Sequence, residues 1–218
     1  IMFAYSGSAN SEAKAAPALV KVRATLDAEP SRVAAFRALA TVPQDVAFFT
    51  SLGAANPDAV LKRLGDAEAG EALQIPAAML GALTDEAFYA LTGVDGDELT
   101  HLVGLGLKDS AAAAKALPAA AKKWIDRPVA TKFGEVNGFC RAGGGLCLAV
   151  TKDFLLASTR EDTLTAAIET GLGKKPALSD VKGFSQVAKA GDSRYLTTFL
   201  DSARAGVDSH ARLRLGRR

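Results

Sequence analysis

A chain of 218 residues with 26 basic and 24 acidic side chains, a net charge of +2 and 49% apolar residues can fill one large domain or two small ones. Its two signs of charge are interspersed, which argues against a general nucleic-acid-binding surface. No apolar run reaches the roughly 18 residues of a transmembrane helix.

The opening, "IMFAYSGSANSEAKAAPAL", lacks the charged start and long apolar stretch of an intact signal peptide. It reads as a short apolar scrap followed by a polar, Ala/Ser-rich linker, of the kind that follows a removed export signal or lipid anchor. Residues 1–17 are accordingly assigned as a linker or the remnant of an export segment. Next, "ALVKVRATL" alternates at Val20, Val22, Ala24 and Leu26, a strand pattern. "PSRVAAFRALATV" follows as a short amphipathic helix from Pro30, with Val33, Phe36, Leu39 and Ala40 facing inward.

"DVAFFTSLGAANPDAVLKRLG" predicts a strand over 46–52 and then a helix, with Asn56 as N-cap and Pro57 at its first position. A short helix is expected around 75–83. "AFYALTGVDGDELTHLVGLGL" reads as a hairpin, with strands 86–92 and 99–107 joined through Asp95-Gly96, a strong turn dipeptide. Asp109 then caps an Ala-rich helix interrupted by Pro118. After Trp124 comes a meander of strands at 128–133, 135–141, 146–151 and 153–158, with Lys152-Asp153 as a tight turn. Ser158-Thr-Arg-Glu161 is a capping-box pattern, opening a helix that runs to Thr170 with Gly171 as its stop. A helix over 181–189, capped by Ser179 or Asp180, and a strand reaching Leu200 complete the order. The end, "SHARLRLGRR", is a basic tail over 202–218 that reads as a solvated terminus or a truncated chain end.

These elements predict an α+β fold. An antiparallel β-sheet of meander and hairpins would carry helices packed on one face, built from repeated strand–turn–helix units. The domain would span 18–201 and admits a division into two similar halves, about 40–125 and 126–201.

Both cysteines flank three glycines in "FCRAGGGLCLAV". If the chain reverses between Gly143 and Gly144, a four-residue loop from Ala142 to Gly145 sets Cys140 opposite Cys147 as a non-hydrogen-bonded pair. Their Cα atoms would lie roughly 4.5–5.5 Å apart, within disulfide range. A cross-strand disulfide would indicate an oxidising compartment. Two free core thiols, or a metal-binding pair, compete with that reading.

The chain carries little recognisable chemistry. Of its two histidines, His101 falls on the strand face of Val103, Leu105 and Leu107, where a hydrogen-bonded structural role is expected; His210 lies in the basic tail. "GLGLKDS" and "AGGGL" match neither a dinucleotide fingerprint nor a phosphate-binding loop. Asp95, Asp97 and Glu98 suit a hairpin turn better than half of a calcium loop. Lys174 and Lys175 follow a helix end, where cations are favoured. No catalytic, cofactor-binding or metal-ligating residue is assigned.

The segments over Pro43 to Phe48, Asp153 to Glu161 and Leu178 to Phe184 carry a resemblance. They read as a proline and acidic residue before an apolar strand, a strand of form D-x-L-L-x-A-S-T-x-E before a helix, and an L-S-D-x-x-x-F helix. In this order, over residues 40–201, they resemble a bacterial domain-of-unknown-function family of secreted or lipid-anchored envelope proteins. The resemblance implies export to the periplasm or cell envelope. It implies no reaction and no cofactor. The expected function is a non-enzymatic envelope protein that binds an unknown protein or small-molecule partner through its sheet face or loops. Nucleic acid is not an expected partner, and membrane association would come from an N-terminal anchor outside this sequence. A hydrolase whose catalytic groups are not recognisable is the alternative.

Overall fold

The computed structural model describes residues 37–53, 77–95, 98–181 and 196–200. Helix α1 (Ala38–Thr41) leads to strand β1 (Phe48–Gly53), and α2 (Ala77–Leu80) to the hairpin of β2 (Leu83–Asp95) and β3 (Glu98–Leu107). Then come α3 (Ser110–Trp124), the strands β4 (Pro128–Phe133), β5 (Val136–Arg141), β6 (Cys147–Val150) and β7 (Phe154–Ser158), helix α4 (Glu161–Gly171), a 3-10 turn at Leu178–Asp180, and β8 (Leu196–Leu200). All these strands join one antiparallel sheet in the order β4-β5-β6-β7-β3-β2-β1-β8. The β3–β7 pairing makes the sheet continuous across residue 126. The expected strand over 18–26, the helix residues before 37, the helices from Pro57 and over 182–189, Gly96-Asp97 and both terminal segments lie outside the described residues.

Helices cover both faces of the sheet, a correction to the one-faced arrangement expected above. Strand alternation in β6 and β7 shows why. Cys147, Ala149, Phe154 and Leu156 point to the face where α4 buries Leu164, Ala167 and Ile168. Leu148 and Leu155 point to the other face, where α3 buries Ala113, Ala116, Leu117, Ala120 and Ala121. A strand buried on both faces must be apolar at every position, which is how "CLAV" and "FLLA" read. The strand–turn–helix passages from β3 to α3 and from β7 to α4 therefore take opposite faces. The small alanines of α3 let that helix sit close to the sheet.

Local chemistry sets most element ends. Asp109 accepts a hydrogen bond from the Ala112 amide at 2.8 Å, satisfying an N-terminal donor of α3. Helix α3 continues through Pro118 rather than being interrupted. Pro118 lies on the exposed side, and its missing N–H leaves the Ala114 carbonyl without a helical donor. The capping box at Ser158 does not form. Ser158 is buried in β7 and its hydroxyl accepts from the Arg160 amide at 3.2 Å, so Arg160 becomes the N-cap. Helix α4 also passes its expected stop. Gly171 stays helical, and Gly173, at φ +71°, ends the helix with its amide on the Thr170 carbonyl. Leu39 faces the core as expected, whereas Ala40 is exposed.

One polar cluster ties α1 to the sheet. Glu86, buried in β2, accepts from Arg37 Nε at 3.2 Å and from the Ala38 amide at 2.8 Å. The Arg37 guanidinium also reaches Thr84 Oγ1 and the Leu107 carbonyl, and lies 5.4 Å from the centre of the Phe154 ring. A buried carboxylate needs such partners, because leaving it unpaired is costly.

Candidate binding groove

The β4–β5 hairpin turns through Gly134-Glu135 and leaves β4 at the end of the sheet. Ala130 pairs with Phe139 and Lys132 with Asn137, so these four side chains share the face covered by α3. Helix α3 lies inboard of β4, over β5 and β6. Between them opens a groove of about 640 Å³. Leu117, Pro118, Phe139 and Val150 supply apolar walls, while Lys132, Lys152, Glu135, Asn137, Thr131 and Thr151 supply the polar lining. A volume of this size lies within the roughly 300–1,000 Å³ typical of ligand sites. Lys132 and Lys152 are exposed, and neither has an ion-pair partner among the described residues. The groove thus joins an apolar body to two lysines and one carboxylate, Glu135.

Cys140 and Cys147 lie on the opposite face, where they form a disulfide. They are register partners with Cα atoms 4.0 Å apart, closer than the expected spacing. Arg141 donates its amide to the Leu146 carbonyl at 3.0 Å, which closes the four-residue loop and leaves the cysteines as the non-bonded pair. Gly143, Gly144 and Gly145 all have positive φ, at 83°, 97° and 108°, which explains three glycines in succession. The bridge is a structural staple and takes no part in the groove.

His101 is half-buried, with Nδ1 2.7 Å from the Tyr89 hydroxyl. No carboxylate among the described residues hydrogen-bonds its ring. Asp95 and Glu98 face each other in the β2–β3 register. Lys175 pairs with Glu169 at 2.7 Å beyond the end of α4. No group of three or more metal-ligating side chains occurs among the described residues. Asp162 has its carboxyl held below the usual carboxylate range, chiefly by the Arg160 guanidinium and helped by the Thr163 amide.

Sequence reasoning missed the groove because its residues come from α3, β4, β5 and the β6–β7 turn and share no motif. One local signal was present: Pro118 on an otherwise alanine-rich helix.

No known protein-family model matches the chain, and no curated protein matches it. Among solved structures, the chain is similar to TP0453 in its crystal form III, with a TM-score of 0.48 and 8% identity over 80% of this chain and 64% of that one. It is also similar to crystal form I of TP0453, with a TM-score of 0.47 and 7% identity over 74% of this chain and 61% of that one. The chain thus spans less than two thirds of the TP0453 chains it resembles.

Proposed function

We propose that this protein is a non-enzymatic, exported envelope protein that binds a partner or small ligand in the groove between α3 and the β4–β5 hairpin. The observation that carries the binding role is the apolar groove rimmed by Lys132 and Lys152, which form no ion pair among the described residues. Apolar walls supply affinity through surface removed from water, and the two ammonium groups favour an anionic or acidic occupant. Export is supported by the Cys140–Cys147 disulfide, since such bonds persist in oxidising compartments. The resemblance of residues 40–201 to secreted or lipid-anchored envelope proteins points the same way. No helix among the described residues is long and apolar enough to cross a membrane.

Two measurements test this reading. Thiol alkylation in intact cells of the source organism should leave Cys140 and Cys147 unlabelled until a reductant is added; labelling without reductant overturns the exported assignment. Titration of the isotope-labelled full chain with decanoate, a simple apolar anion, should shift the amide signals of Thr131, Lys132, Phe139 and Lys152. Shifts scattered elsewhere, or none, overturn the groove as the binding site.

A further inference from the structure

The sheet ends at β4, and among the described residues nothing pairs with its outer side. The hydrogen-bond phase of that edge can be read from its neighbours. The Ala142 amide donates to the Arg127 carbonyl at 3.1 Å, one step beyond the Pro128↔Arg141 pair. Antiparallel pairs alternate between bonded and non-bonded, so Val129, Thr131 and Phe133 turn their backbone groups toward β5. Pro128, Ala130 and Lys132 turn theirs outward. The free edge therefore offers the carbonyls of Pro128, Ala130 and Lys132 and the amides of Ala130 and Lys132. The side chains of Ala130 and Lys132 line the groove. A strand laid along this edge, about 4.8 Å from β4, would place every second side chain against that same groove.

From this geometry we infer that β4 accepts an extended, acidic peptide segment of a partner protein by strand addition. The main-chain groups of Ala130 and Lys132 supply the pairing, and Lys132 and Lys152 select carboxylate side chains on the groove face. In this mode backbone hydrogen bonds give affinity, and alternate side-chain pockets give specificity. Charge complementarity decides the occupant. The two lysines form no ion pair among the described residues, and with Glu135 at the same end of the sheet the charged lining is two ammonium groups and one carboxylate, net positive. The inference rests on the groove being the binding site, and adds the class of occupant.

The test uses the full chain and a blocked hexapeptide alternating valine and glutamate. The peptide should shift the Ala130 and Lys132 amide signals and slow their hydrogen exchange. A version N-methylated at the edge-facing amides should not bind, and a lysine-for-glutamate version should bind at least about tenfold more weakly at low salt. Ala130→Pro removes one outward N–H and keeps the inward pairs, a substitution that edge strands tolerate; it should weaken binding by about tenfold. Lys132→Glu alters only an exposed side chain and should weaken binding to a similar degree, with the loss shrinking as salt is raised. If decanoate shifts the groove but the peptide does not, or if the peptide binds Ala130→Pro and Lys132→Glu unchanged, strand addition is overturned and the groove reading stands. Amides of Ala130 and Lys132 already protected without peptide would also overturn it, since the edge would then be occupied by the chain itself. If neither probe shifts the groove, both readings fall.

Discussion

The two halves of the sheet are filled in different ways. At β6 and β7 both faces are covered: Leu148 and Leu155 meet α3, while Ala149, Phe154 and Leu156 face α4. At β1, β2 and β3 the α1–α4 face is equally dense, with Phe49, Phe88, Ala90 and Leu102 buried. On the other face of those strands, Phe48, Tyr89, Leu91, His101 and Val103 remain only half-buried. That face mixes aromatic and polar side chains, and Tyr89 and His101 satisfy each other across it. Two-sided burial requires an unbroken apolar run, whereas one-sided burial leaves alternate positions free to be polar. The difference is one of packing, and stability measurements on single substitutions can test it.

The largest effect is expected in the doubly covered strands. Leu156→Ala leaves a void in a core that cannot collapse from either side, and should cost about 3–4 kcal/mol in denaturant unfolding. Val103→Ala, on the half-buried face, should cost about 1 kcal/mol; equal losses at the two sites would erase the distinction. Replacing Cys140 and Cys147 together by serine should cost about 2–3 kcal/mol, the chain-entropy value for so short a loop. Unfolding of the wild-type chain with and without reductant should give the same difference. Tyr89→Phe removes the hydroxyl that bonds His101 while keeping the ring, and should cost about 1 kcal/mol; a larger loss would show that face to be better sealed than β6 and β7 suggest.

The smallest effect concerns Asp162, exposed in the first turn of α4. Its carboxyl is held below the usual range by Arg160. A lowered folded-state pKa adds stability that is present above the ordinary carboxylate pKa and lost as pH falls through the lowered one. Asp162→Asn should therefore cost about 0.5 kcal/mol or less at neutral pH, and that cost should vanish in acid, as read by unfolding at a series of pH values.

A further contrast between the strands concerns Gly104, which pairs with Phe88 across β2 and β3. A methyl group there would overlap the Phe88 ring, which itself packs against Phe49 and Phe154. In the sequence that residue is one of the glycines of "VGLGL" and looks like weak strand material. In the fold it is the space a phenylalanine fills.

What could be read from the chain alone was local. The four meander strands, the Asp109 cap, the Lys152-Asp153 turn and the facing cysteines depend on residues a few positions apart, whose geometry is set by turn chemistry and strand alternation. Tertiary structure decided what depends on distant partners. It put helices on both faces, because β6 and the first four residues of β7 are apolar throughout and sequence periodicity does not say how many layers cover such a run. It moved the start of α4 to Arg160 by burying Ser158, and placed Glu86 under Arg37, 49 residues away. It also joined α3 to the β4 edge to open the groove, since strand order is a long-range choice that no turn signal encodes.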